Sequence, residues 1–134
     1  MTWTSLLTNP LGIENIYGGY VPELTAVHLH EINFSREGPM MALRFDMPSY
    51  PETPPKKWAV QGFNTVQVTL TFAGVQDVSL TGFTFDPVVD IAMSRGDGVR
   101  LEIHSASIRL RASADAAHMA EISAYRTVDE DPLA

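Results

Sequence analysis

The chain has no cysteine, which removes a disulfide framework, a thiolate zinc site and a cysteine nucleophile together. It fits a reducing compartment. No apolar run approaches the roughly 20 residues needed to cross a bilayer. The first residues, Met1 to Leu7, carry no basic stretch ahead of an apolar one, so no secretory leader is expected and the expected location is the cytoplasm. Basic side chains are scarce, 9 against 16 acidic, and the formal net charge of −7 repels phosphate backbones. The expected partner is therefore not nucleic acid and not a membrane. A basic protein would be attracted instead. Charged residues are only 19% of the chain and hydrophobic ones 45%, which argues against disorder and for a folded core. At 134 residues one domain is expected, with no internal repeat and no linker.

Three stretches differ in pattern. Residues 1–23 hold Leu6, Leu7, Leu11, Ile13, Ile16 and Tyr17 at spacings of three and four, which predicts one or two short helical turns. Asn9-Pro10 is the expected helix start, with Asn as cap, and Gly18-Gly19 the stop. Residues 24–126 follow period two and predict a β core. Val27 and Leu29 alternate with His28 and His30. Met41, Leu43, Phe45 and Met47 face one way, and Arg44 and Asp46 the other. Val66, Val68, Leu70 and Phe72 alternate with Thr65, Gln67, Thr69 and Thr71. Val75 to Phe85 predicts a further strand with Val78, Leu80 and Phe83 inward. Strands around Ile91, Leu101 and Leu110 follow, the first two joined by a hairpin turn at Arg95-Gly96-Asp97-Gly98. Residues 113–125 fit a helix by their alanines and a strand by alternation, and we lean to the strand. Residues 127–134 predict a flexible acidic tail. Seven to eight strands of similar length predict an antiparallel sandwich or open barrel behind a short helical N-terminal segment.

Between the second and third strands lie Pro48, Pro51, Pro54 and Pro55. They remove ladder donors and hold φ, so a stiff extended loop is expected before Lys56, Lys57 and Trp58. Trp58 either plugs the core or stands exposed beside Tyr50 as an anchor, and the core role is favoured.

Catalytic motifs are missing: there is no Gly-x-Ser-x-Gly elbow and no phosphate-cradling Gly-rich loop. His28-x-His30 is the one metal-like spacing, with Glu102 or His104 as a third ligand. Two histidines on a wet sheet face is the simpler account, so neither metal nor cofactor is expected.

The order of features resembles the Immunity protein 50 family. The features are Trp3, Ile16-Tyr17, Pro22 to Leu24 and the run Met41 to Pro48. Pro54-Pro55-Lys56-Lys57-Trp58, Asn64 to Val66, Leu70 to Phe72, Val78 to Gly82 and Ile122 to Tyr125 complete it. Trp3, Tyr17, Pro55, Trp58, Asn64, Gly82 and Tyr125 are its signature positions. One departure is Phe83, where many members carry Trp. The resemblance implies a non-catalytic bacterial protein, encoded beside a toxin of a polymorphic toxin system, that binds that toxin and blocks it. It supplies no catalytic residues. Candidate partner-binding positions are Tyr50, Glu52, Lys56 and Lys57 on the proline loop, with the acidic Asp77, Asp86 and Asp90. A small-molecule or carbohydrate module using Trp58, Tyr50 and His28 or His30 is the alternative. An open sheet edge leaves monomer and homodimer both compatible.

Overall fold

A computed structural model describes residues 3–85 and 87–128. A 3-10 turn, Trp3–Leu6, and helix α1, Leu11–Ile16, precede strands β1, Val27–Ser35, and β2, Met40–Asp46. Helix α2, Lys56–Gln61, follows the proline loop. The remaining strands are β3 (Thr65–Ala73), β4 (Gln76–Thr81), β5 (Val88–Arg95), β6 (Val99–His104), β7 (Arg109–Ala114) and β8 (Ala116–Tyr125). No helix among the described residues is long and apolar enough to cross a membrane.

The protein is mainly β, as the period-two pattern predicts. Its eight strands pair antiparallel in one open sheet ordered β4-β7-β6-β5-β1-β2-β3-β8. The two middle halves meet through a short β1–β5 pairing at Val27–Val89 and His28–Val88. At the far side β3 runs into β4 and β7 runs into β8 through one corner. There the Asp115 amide donates to the Ala73 carbonyl at 2.8 Å. Gly74 permits this turn: its φ is +67°, and a Cβ would stand 2.1 Å from Asp115 Oδ2.

The core collects the inward positions of the alternating strands. Met41, Leu43, Phe45, Val66, Val68, Leu70 and Phe72 are all within 1% of full burial, so the period-two reading of β2 and β3 holds residue by residue. Val89, Ile91, Val99, Leu101, Ile103, Leu110, Ala117 and Met119 complete the same cluster. Trp3 is buried beneath it, and its indole N–H donates to the Pro22 carbonyl at 3.0 Å.

Several expectations are corrected. β4 is shorter than residues 75–85, and Val78, Leu80 and Phe83 are not buried: they are 44%, 39% and 68% exposed. Leu80 stands opposite buried Leu110 and aims to the core side of the sheet. However, β4 is an edge strand, and among the described residues its core-side positions are left partly uncovered. Asn9 does not cap α1. Its amide reaches β8 instead, donating to the Met119 carbonyl and accepting from the Met119 amide at 2.9 and 2.8 Å. It ties the N-terminal segment to that edge, where Leu7 bridges Ala117. Residues 116–125 are strand, which settles the ambiguity: alanine's helix preference yields to pairing with β3. α2 is a helix the alternation does not predict. Pro55 precedes it and Gly62, at φ +69°, ends it. Of the expected tail, Thr127 is anchored. Asn64 accepts from its amide and donates to its carbonyl, both at 2.9 Å. Residues 129–134 lie outside the described ones.

Candidate functional site

The proline loop and the end of α1 face each other. Pro51 is buried and pins the loop to the body. The Tyr17 hydroxyl crosses the gap and donates to the Ser49 carbonyl at 2.7 Å. Tyr50 tilts onto Trp58 of α2, with ring centroids 6.3 Å apart and planes at 41°. Trp58 is half-buried and packs against the core. These contacts wall a hollow of about 860 Å³ lined by Ile16, Tyr17, Tyr20, Tyr50, Pro51 and Glu52 among others. Tyr20 stands at its rim, 89% exposed. Lys56 and Lys57 lie exposed at the start of α2.

Two of the phenols here, Tyr17 and Tyr50, are shifted toward the protonated form. Burial, then the neighbouring Tyr50, pushes the Tyr17 hydroxyl up from the ordinary value of 10.0. Burial raises Tyr50 as well. Among the described residues the buried Tyr50 hydroxyl has no hydrogen-bond partner. A wall of rigid, neutral aromatic rings with hydroxyl tips suits protein contact, because such side chains bury much area at little conformational cost.

A second hollow of about 500 Å³ opens on the other side of Ser49 and Tyr50, lined by His28, His30, Asp46, Thr65 and Tyr125 among others. Its floor is a polar network. Asp46 is 8% exposed, and its carboxylate accepts from Tyr125 at 2.5 Å and from Gln67 at 3.3 Å; His30 Nε2 stands 2.9 Å away. Arg44 then links Gln67, at 3.4 Å, to Glu31, at 3.6 Å. The network joins β1, β2, β3 and β8 across the outer side of the sheet. Burial first, then the bond to Asp46 and its charge, raises the Tyr125 phenol from 10.0.

His28 and His30 line one hollow, with a bulge between Leu29 and Glu31 in their strand. His30 is engaged with Asp46. Glu102 and His104 sit on β6, with β5 between them and β1. Among the described residues no three His, Asp or Glu side chains gather as ligands.

Of the candidate binding positions, the structure brings together Tyr50, Glu52, Lys56 and Lys57. Asp77 is far along the sheet on β4, at φ +54°. Asp90 on β5 is exposed, but its Oδ1 accepts from the amide of Ala26, at φ +55°, at 2.9 Å, which gives it a structural task. Asp86 lies outside the described residues. Sequence reasoning missed the facing tyrosines Tyr17 and Tyr20 as lining, and it missed Asp46. Asp46 is at an outward position of β2, and alternation assigns such a residue to solvent.

A family model described as Immunity protein 50 matches residues 9–125. The chain belongs to the Immunity protein 50 family. The match runs from just before α1 through the last residue of β8; it covers the tyrosine-lined hollow and all of the second one's lining except Thr127 and Val128. No curated protein and no solved structure matches the chain. Several positions by which the sequence resembles the family have identifiable structural tasks. Trp3 anchors to Pro22, Tyr17 to Ser49, Asn64 to Thr127 and Tyr125 to Asp46. Pro55 precedes α2. Gly82 turns out of β4 at φ +81°, where a Cβ would meet the Ser107 carbonyl oxygen at 2.1 Å. An immunity family implies a protein partner.

Proposed function

We propose that this protein neutralises a cognate bacterial toxin in the cytoplasm by stoichiometric binding, without turnover. The family match over residues 9–125 carries this reading. The tyrosine-walled hollow supports it, because its Tyr17 and Tyr50 side chains are held by Ser49 and Trp58 before any partner arrives. A surface already ordered loses little entropy on docking. The docking face we propose comprises Tyr17, Tyr20, Tyr50 and Glu52, with Lys56 and Lys57 at its margin. Asp77, Asp86 and Asp90 would act at a distance, through the net charge of −7, by drawing a basic toxin into encounter.

The test is co-expression with the product of the adjacent toxin gene. The wild-type chain should restore growth and co-purify with the toxin in a one-to-one complex. Tyr20→Ala should weaken the complex at least tenfold while leaving thermal unfolding unchanged. A toxin that still kills in the presence of folded wild-type chain would overturn the proposal.

A further inference from the structure

β1 lies in the middle of the sheet, between β5 and β2, yet its two sides are unequally used. Toward β2 it pairs along its length, from His28 opposite Asp46 to Ser35 opposite Met40. Toward β5 it pairs only at Val27 and His28. Pro87, just ahead of β5, ends the ladder. Its carbonyl accepts from the Leu29 amide at 3.0 Å, but its own nitrogen has no proton to return the bond. Among the described residues, residues 30–35 make no backbone hydrogen bond on that side. The bulge between Leu29 and Glu31 lies ahead of this stretch, and from Glu31 to Ser35 the register against β2 is regular. Residues 31–35 therefore present an even strand edge.

Uncovered apolar surface flanks that edge. Ile32 and Phe34 stand opposite the buried Leu43 and Met41, so both point to the core side of the sheet. Phe34 is nonetheless 46% exposed, and Phe83 and Phe85, ahead of Pro87, are 68% and 95% exposed. Phe83 and Phe85, with Leu29, Ile32 and Pro87, help to wall a third hollow of about 400 Å³ beside β1. At about 200 Å² for a whole aromatic side chain, the exposed parts of the three phenylalanines come to about 400 Å². A stable interface takes about 800 Å² from each partner, a little over half of it apolar. The three rings supply most of that apolar share.

We infer that the edge of β1 over residues 31–35 is a self-association surface, which pairs antiparallel with the same edge of a second copy of this chain. The stretch is complementary to itself. A two-fold axis at Asn33 sets Ile32 of each copy against Phe34 of the other on the core side, and Glu31 against Ser35 on the outer side. No like charges meet. Asn33 meets its own counterpart, and an amide side chain both donates and accepts. Strand pairing also satisfies the backbone groups of the edge, while the phenylalanines lose their contact with water. The hollow beside β1 shares no lining residue with the tyrosine hollow, so self-association and toxin binding are read separately.

The test is sedimentation of the full chain, with amide hydrogen exchange to locate the contact. An interface of standard size binds in the micromolar range or tighter, so at about 100 μM the chain should sediment at twice its own mass. Exchange at residues 31–35 should slow between dilute and concentrated chain. Phe34→Lys puts a charge into the seam and should weaken the dimer about tenfold or more. Phe85→Ser should weaken it severalfold, and with its ring 95% exposed this variant keeps the fold even if Phe34→Lys does not. Leu80→Ser, on the edge strand β4, should leave the dimer unchanged. A monomer at that concentration, or a dimer left intact by both Phe85→Ser and a folded Phe34→Lys, would overturn the inference. A dimer lost in Leu80→Ser would overturn it as well and would assign the contact to β4. Protection of residues 31–35 only when the toxin is added would also overturn it and would assign the edge to the toxin.

Discussion

The Tyr125 hydroxyl donates a 2.5 Å hydrogen bond to the Asp46 carboxylate, from β8 to β2 across the intervening β3. The two residues are 79 apart in sequence. Asp46 is only 8% exposed, and a carboxylate taken out of water needs hydrogen-bond donors in its place. Gln67 and His30 complete the set. The network therefore ties four strands together at the end of the sheet where both hollows open.

Asp46→Ala should destabilise the fold by about 3 kcal/mol, because it leaves the Tyr125 hydroxyl and the Gln67 amide without their acceptor. Tyr125→Phe should cost less, since the carboxylate keeps its other partners. A double-mutant cycle read by urea unfolding should give a coupling of about 1 kcal/mol or more. Additive effects would mean that the short bond contributes nothing.

Stability should fall at alkaline pH. Tyr17, Tyr50 and Tyr125 all have phenols raised above the ordinary 10.0. Below that value folded and unfolded states are both protonated, and the full contribution is present. Above it the unfolded chain releases its protons first, so stability declines as pH climbs toward the folded values. Urea midpoints should hold up to about pH 9 and drop by about pH 11. The drop should shrink in Tyr125→Phe.

Tyr50→Phe should leave stability unchanged or raise it, because the buried hydroxyl has no partner to lose. Tyr17→Phe removes the bond to the Ser49 carbonyl and should cost about 1 kcal/mol. Thermal unfolding of the two variants side by side reads the difference.

Gly82→Ala should destabilise by about 3 kcal/mol, since the new methyl meets a backbone oxygen as well as an unfavourable φ. Gly18→Ala has the unfavourable φ of +63° but open space around it, and should cost only about 1 kcal/mol. Equal losses in the two variants would show that conformation alone, and not the Ser107 carbonyl, makes Gly82 necessary.

Alternation is a local property, and it was legible wherever a strand has one face on the core. Met41, Leu43, Phe45, Val66, Val68, Leu70 and Phe72 were readable because each side chain's direction follows from its neighbours along the chain. Gly82, Asn64 and Tyr125 were visible as signature positions, but not what each one touches.

Strand order was a tertiary matter. Val78 and Leu80 have the same pattern as core residues, yet they are exposed because β4 is outermost, and no local signal reports which strand ends a sheet. Asp46 reads as a solvent-facing residue and is buried because Tyr125, His30 and Gln67 converge on it from three other strands. Sequence by itself determined a β core and its inward faces, since those depend on period two. Only the tertiary structure decided which strands became neighbours, and with that the tyrosine hollow, the Asp46 network and the hollow beside β1, because each is assembled from residues that approach one another only after the sheet has formed.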